Sequence, residues 1–233
     1  MLLESKIPAA ERAAFVAKVK GVATALAVDP DWLMATMWVE SRLNPKAYNS
    51  GGGASGLIQF MPGTAVGLGT TTAAIRQMTR LRQLDFVLKY LKPYKGKMTS
   101  AFQVYVAVHF PKQLGAPLSE VWYAKTGNAF SRKCYAGNKD IDIKWGNNDG
   151  AVSGADVQAF FYGSLRGILA PPTTPTVPET KLVPETPDET PPAFTPTPYN
   201  QRGFPWLVVS LVVVGITLAI VLLKKPALLR LGR

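Results

Sequence analysis

Ten prolines fall between positions 171 and 203, interleaved with threonines and acids, and a stretch of that kind builds no core. It favours a disordered, extended tether, and at ~3.1 Å per residue it would reach on the order of 100 Å. The chain is thereby divided. Whatever folds as a globular unit must do so within residues 1–170, and whatever follows position 203 must act at a distance from it. Residues 204–223 are almost wholly apolar, and the 18 residues from Trp206 to Leu223 carry no charge. As a helix they would measure about 27 Å, which suits a bilayer core. Phe204 and Trp206 flank one end and Lys224 and Lys225 the other, the aromatic and cationic borders expected of one C-terminal transmembrane helix. The short tail, residues 224–233, holds four positive charges, which favours an interior or cytoplasmic C-terminus with the globular domain on the opposite side.

Of the +11 formal charge, most sits on the globular domain, where 20 Lys and Arg face 11 Asp and Glu. Such a surface attracts polyanions. No recognition helix, zinc spacing or aromatic sheet motif points to nucleic acid, so an acidic cell wall is the better candidate. Cys134 is the only cysteine, which excludes an intrachain disulfide, and it reads as a small buried hydrophobe. Glu4 and Glu11 stand where a secretory signal would be basic, and no sufficiently apolar run follows them. A wall-directed enzyme with this N-terminus would need another way across the membrane.

The domain reads as mainly α with little strand. Phe15, Val16, Val19, Val22, Ala23 and Leu26 recur at helical spacing within residues 8–27. Asp29 then offers an N-cap with Pro30 at the first helical position, and a helix over residues 31–41 should stop before Asn44-Pro45. Leu33, Met37 and Glu40 lie at offsets 0, 4 and 7, so the Glu40 carboxyl shares the face of core residues. One amphipathic helix is expected over residues 73–91, a more apolar one over 99–110, and a closing one over 152–169 with Ser153 as its cap. Residues 57–61 suit either a short strand or the start of a helix.

The chemistry concentrates in residues 40–62, where one acid ends a helix, a glycine run follows, and an apolar segment carries one amide. A lone carboxyl beside flexible backbone suits acid–base work on a bulky neutral polymer rather than metal or phosphate chemistry. The negative end of a helix dipole and partial burial would both favour its protonated form. Glu40-Ser41, Pro45, Ala47, the glycines, Gly56-Leu57-Ile58-Gln59 and Met61-Pro62 resemble the catalytic region of lytic transglycosylases of the Slt type, over about residues 20–110. That resemblance implies a lysozyme-like α+β fold and a carbon–oxygen lyase acting on peptidoglycan glycan strands without a cofactor. It also implies that one glutamate, here Glu40, acts first as acid and then as base. Ser41 would then position the acid or an N-acetyl group, while Gly56, Leu57, Ile58, Gln59 and Met61 would line the sugar subsites.

The family's Ala-Tyr-Asn-Ala-Gly segment has only a loose counterpart around Tyr105, which is either a phenol facing Glu40 or a core tyrosine. His109, the only histidine, lies one helical turn further on, is either structural or a groove residue, and cannot build a metal site alone. Asn147, Asp149, Gly150, Val152, Ser153 and Asp156 follow part of a calcium-loop spacing, but Trp145 stands at its first position and Asp replaces Glu at its last, so a capping turn is the better reading. The tether, span and N-terminus together resemble virion-associated transglycosylases of membrane-containing bacteriophages. That likeness implies local wall penetration during entry, with other virion proteins as neighbours. A bacterial membrane with the domain facing the wall is the alternative setting. A hydrolytic lysozyme-type muramidase and a non-catalytic peptidoglycan-binding module of a virion are the alternative activities.

Overall fold

Asp29 opens the central helix as its sequence suggests. Its Oδ1 accepts from the Asp31 amide at 2.7 Å, and Pro30 occupies the first turn, where a missing N–H costs nothing. In the computed structural model, which describes residues 1–171, this helix α2 (Pro30–Ser41) follows α1 (Ala9–Leu26). A loop leads from α2 to two short helices, α3 (Pro62–Gly67) and α4 (Thr72–Gln77), and then to α5 (Arg80–Leu91) and α6 (Ala101–His109). Strand β1 (Val121–Ala124), helix α7 (Ala129–Trp145), strand β2 (Ala151–Ser153) and helix α8 (Gly154–Ser164) complete the order. The result is mainly helical and consistent with a lysozyme-like domain. Among the described residues no helix is long and apolar enough to cross a membrane. The proposed span at 204–223, the tail and all but the first residue of the Pro-rich segment lie outside the described residues.

Two cores form, and α2 is the wall between them. Leu33, Met34 and Met37 face the first, with Phe15 and Leu26 of α1, Leu84 and Val87 of α5, and Leu57 and Phe60 of the connecting loop. Ala35 and Val39 face the second, with Phe102 and Tyr105 of α6, Trp122 and Tyr123 of β1, and Val157 and Phe161 of α8. Helix α6 is shared in the same way, giving Val104 and Ala107 to the first core. The first core is mostly aliphatic. The second is an aromatic stack, with Tyr105 and Phe161 ring centroids 4.9 Å apart and Phe110 and Trp122 6.0 Å apart. Offset stacks of this kind add to the burial of their area.

The expected helix over 73–91 is in fact two. Met78 is extended, and the hydroxyls of Thr71 and Thr79 each cap a separate helix by accepting from Ala74 and Arg82. A threonine at an N-cap satisfies an orphan amide that it could not reach from mid-helix, so the chain restarts there. Residues 57–61 form neither strand nor helix. They make a tight turn closed by the isolated bridge between Ser55 and Phe60, and α3 begins at Pro62. The closing helix is shorter than expected, at Gly154–Ser164, and Ser153 and Asp156 form a reciprocal capping box at its start.

The β1–β2 pair is antiparallel, with Tyr123 opposite Val152 and an irregularity between Val121 and Tyr123. In a regular strand successive side chains point to opposite faces. The irregularity lets Trp122 and Tyr123 both turn inward. Helix α7 bends at Asn138, whose backbone is non-helical and whose Nδ2 donates to the Cys134 carbonyl at 2.9 Å.

Candidate active site

Glu40 sits in the last turn of α2, 5% exposed, at the seam between the two cores. The helix ends one residue later because Arg42 and Leu43 both take left-handed backbone, and their amides return to the Trp38 and Met37 carbonyls. The Arg42 guanidinium lies over the Trp38 ring at 4.9 Å. Two buried tyrosines, Tyr90 of α5 and Tyr105 of α6, lie within electrostatic reach of the acid. Burial holds the Tyr90 and Tyr105 hydroxyls well above the usual phenol range, and the charge of Glu40 adds to the rise in both. The Tyr90 hydroxyl donates to the Ala107 carbonyl at 3.1 Å, fastening α5 to α6, and its ring meets Phe60 edge-on.

The loop after Glu40 is held in place by hydrogen bonds rather than by regular structure. Ser41 Oγ lies 3.0 Å from the Met37 carbonyl and 2.9 Å from the Leu57 carbonyl, so its one proton ties the loop to the helix that carries the acid. Gln83, wholly buried on α5, makes three contacts. Its Oε1 accepts from the Leu57 amide at 2.8 Å, and its Nε2 donates to the carbonyls of Pro45 at 2.6 Å and Ile75 at 2.8 Å. Gly56 has φ near +80°, and a Cβ there would come within 2.5 Å of Gln83 Oε1 and 2.7 Å of Ile75 Cγ2. The position therefore requires glycine on two grounds.

Gln59 also takes left-handed backbone, at φ 49°, and its Nε2 donates to the Gly56 carbonyl at 3.0 Å. Such a conformation in a residue other than glycine costs on the order of 1–3 kcal/mol and persists only where its surroundings enforce it. Leu57 and Ile58 are core residues, and Met61 is buried as the N-cap position of α3. Hydrogen bonds thus tie the turn that carries Gly56, Leu57 and Gln59 to Ser41, the residue after Glu40. On the outer side of the loop, the exposed Tyr48 ring is covered by Arg76, whose Nη1 donates to Ser55 Oγ at 2.8 Å.

Tyr105 is buried, and its hydroxyl pairs with His109 Nδ1 at 3.2 Å, while His109 Nε2 pairs with the Tyr123 hydroxyl at 3.2 Å. Gln83 and Tyr90 are candidate site residues that sequence reasoning overlooks, as is Tyr123, the partner of His109. For Gln83 a signal exists, since it precedes the inward Val87 and Leu91 by one and two helical turns. Further from the site, the 146–150 loop closes on a buried carboxylate. Asp142 accepts from the amides of Asp149 and Gly150 and from the Tyr135 hydroxyl, which pushes the Tyr135 phenol up to about 12. Asp149 accepts from Asn147 and from the Ala151 amide, so the residues of the calcium-like spacing serve turns and a helix cap. Among the described residues no group of three or more His, Cys, Asp or Glu side chains could hold a metal ion.

Between Glu40 and Asp85 the chain contains no Asp or Glu. Asp85 itself is paired with Lys18 at 2.7 Å and Arg82 at 3.1 Å on the α1–α5 surface, and this pairing lowers its pKa. Glu40 and Asp142 are the only buried acids among the described residues. The candidate site therefore offers one sheltered carboxyl, two phenols within its electrostatic reach, and a loop tied to the helix that carries the acid. No curated protein and no solved structure matches the chain. The family model described as Transglycosylase SLT domain matches residues 19–107, from within α1 almost to the end of α6, and supports a lytic transglycosylase-type domain acting on peptidoglycan there.

Proposed function

We propose that the chain cleaves the MurNAc–GlcNAc bond of peptidoglycan by intramolecular transfer, leaving 1,6-anhydroMurNAc ends, with Glu40 serving in turn as acid and base. Glu40 gives its proton to the bridging oxygen as the C1–O bond breaks. It then takes the proton of the sugar's own 6-hydroxyl as that oxygen closes on C1. One proton leaves Glu40 and one returns, so no water is consumed. The observation that carries this reading is that Glu40 is the one buried acid at the candidate site, Asp142 being the only other among the described residues. The usual hydrolytic scheme needs a second carboxyl group as nucleophile or base, and Asp85, the next acid downstream, and Asp142, the other buried one, are engaged elsewhere.

The low-dielectric seam around Glu40 supports proton transfer, since an acid there exchanges its proton with substrate rather than bulk solvent. Ser41, Gly56, Leu57, Gln59 and Met61 shape the adjoining wall, and Tyr90 and Tyr105 lie within electrostatic reach of the acid. Beyond the domain, the proline-rich segment and the charge-free stretch from Trp206 to Leu223 support action tethered to a membrane. A bacteriophage virion membrane, with local opening of the wall during entry, is the setting that joins these features.

Mass spectrometry of wall digests tests the reaction. Anhydro-muropeptides are expected, whereas reducing ends would replace this mechanism with hydrolysis. Wall binding without soluble product would make the domain a binder. Glu40→Gln should lower turnover about 10³-fold or more while leaving the fold intact.

A further inference from the structure

Ser55 is wholly buried and stands between two isolated bridges, with Tyr48 on one side and Phe60 on the other. Its amide donates to the Phe60 carbonyl at 3.1 Å and its carbonyl accepts from the Phe60 amide at 2.8 Å. Phe60 belongs to the first core, whereas Tyr48 is 55% exposed. The Ser55 hydroxyl donates to the Gly53 carbonyl at 3.4 Å and accepts from Arg76 Nη1 at 2.8 Å. Arg76, on α4, has its Cζ 4.3 Å from the centre of the Tyr48 ring. One serine thus fixes both an exposed aromatic ring and the guanidinium that lies over it.

The charge of that guanidinium is not answered within the fold. Among the described residues no carboxylate lies within ion-pair distance of Arg76. Its neighbours in sequence are treated differently. Arg80 pairs with Glu11 and donates to the Leu43 carbonyl, and Arg82 pairs with Asp85. Arg76 uses one N–H on Ser55, which leaves most of a planar fork of five donors open. A fork already held by a ring and a buried hydroxyl loses little freedom on binding, and its geometry matches a carboxylate that takes two parallel bonds. Arg76 is also half-buried, so an ion pair made there is less screened than one between two mobile surface chains.

We infer that Arg76 and Tyr48 form a subsite for a carboxylate of the peptide stem carried by MurNAc, so that the domain selects glycan strands whose stems are charged. This rests on the reading of peptidoglycan as substrate. In a stem-bearing strand the sugar rings are neutral and the carboxylates lie on the stems, so a guanidinium without an acid finds its partner there. A stem leaves the sugar through the lactyl group and extends away from the glycan axis, and about three residues of it reach on the order of 10 Å. It can therefore meet the outer side of the loop while the sugars lie against the other. Ser55 lies two residues before Leu57, whose carbonyl Ser41 holds, which keeps the pair on the turn tied to the acid's helix.

The test is equilibrium binding of soluble glycan strands to the full chain, with Glu40→Gln as the background so that strands are not cut. Two probes are compared, strands with intact stems and the same strands with their stem carboxylates converted to amides. The background protein should bind the intact strands about tenfold more tightly, and adding Arg76→Gln should bring the two affinities together. Tyr48→Ala removes an exposed ring and no hydrogen bond of the fold, and should reduce the preference about threefold. Lys139→Gln removes an exposed charge from α7 and should leave the preference intact. Equal affinity for both probes in the background protein would overturn the subsite, as would a preference that survives Arg76→Gln or Tyr48→Ala. A preference lost equally in Lys139→Gln would assign it to net charge and overturn it too. Cleavage to anhydro ends without any preference would remove the subsite and keep the reaction, whereas a preference without cleavage would keep the subsite on a binder.

Discussion

Two loops in this molecule are each held by one wholly buried polar side chain, and the two side chains differ in charge. Beside the candidate catalytic acid the holder is the neutral amide Gln83, whereas in the C-terminal region it is the carboxylate Asp142. The difference follows partly from what each loop presents. Around Gln83 there are one amide N–H and two carbonyls, which only a side chain with both donor and acceptor atoms can satisfy. Around Asp142 there are two amide N–H groups and a phenol O–H, all donors. Location supplies the rest. Gln83 reaches Glu40 through Leu57 and Ser41, and a second negative charge there would act on the acid directly. A neutral holder fixes the loop without disturbing the carboxyl it serves.

The strongest test of that contrast exchanges the charge. Gln83→Glu places an acceptor against the Pro45 and Ile75 carbonyls, and should cost about 3–5 kcal/mol in denaturant unfolding with activity lost in proportion to the loop's displacement. A variant as stable as wild type would mean that the loop adapts to either holder. Asp142→Asn is the reciprocal change. It sets an NH₂ group against one of the loop amides and should cost about 2–3 kcal/mol by urea titration, with the product spectrum unchanged. A changed product would show that the 146–150 loop also shapes the site. The smallest effects separate the regions most cleanly. Ser41→Ala and Ser153→Ala should each cost about 1 kcal/mol, but only the former should lower kcat. Equal turnover in both would sink the idea that Ser41 carries the loop's position to Glu40.

Much of the first region is legible in the sequence because its signals are local. Asp29-Pro30 marks a helix start within three residues, and the offsets of Leu33, Met37 and Glu40 place the acid on the buried face without any tertiary information. Ser153 marks another helix start in the same way. The break at Met78 and Thr79 is harder to see, because the apolar spacing of Ile75, Leu81 and Leu84 runs through it and threonine is tolerated in either role. Helix α7 is hidden for a different reason. Its buried positions are Cys134, Asn138, Ile141 and Asp142, half of them polar, so no apolar stripe announces it. The partners of Gln83 and His109 come from positions up to 38 residues away, and only the folded chain reveals them.

Thr79 has one more consequence. By restarting the helix it sets an angular origin, and Gln83 lies four residues past it, little more than one full turn. The linking segment before Thr79 can vary in length without rotating the amide. A single residue added between Thr79 and Gln83 would swing it by about 100° away from Leu57. The capping threonine thus acts as a phase reference, insulating the wall of the candidate catalytic groove from drift in the chain that precedes it.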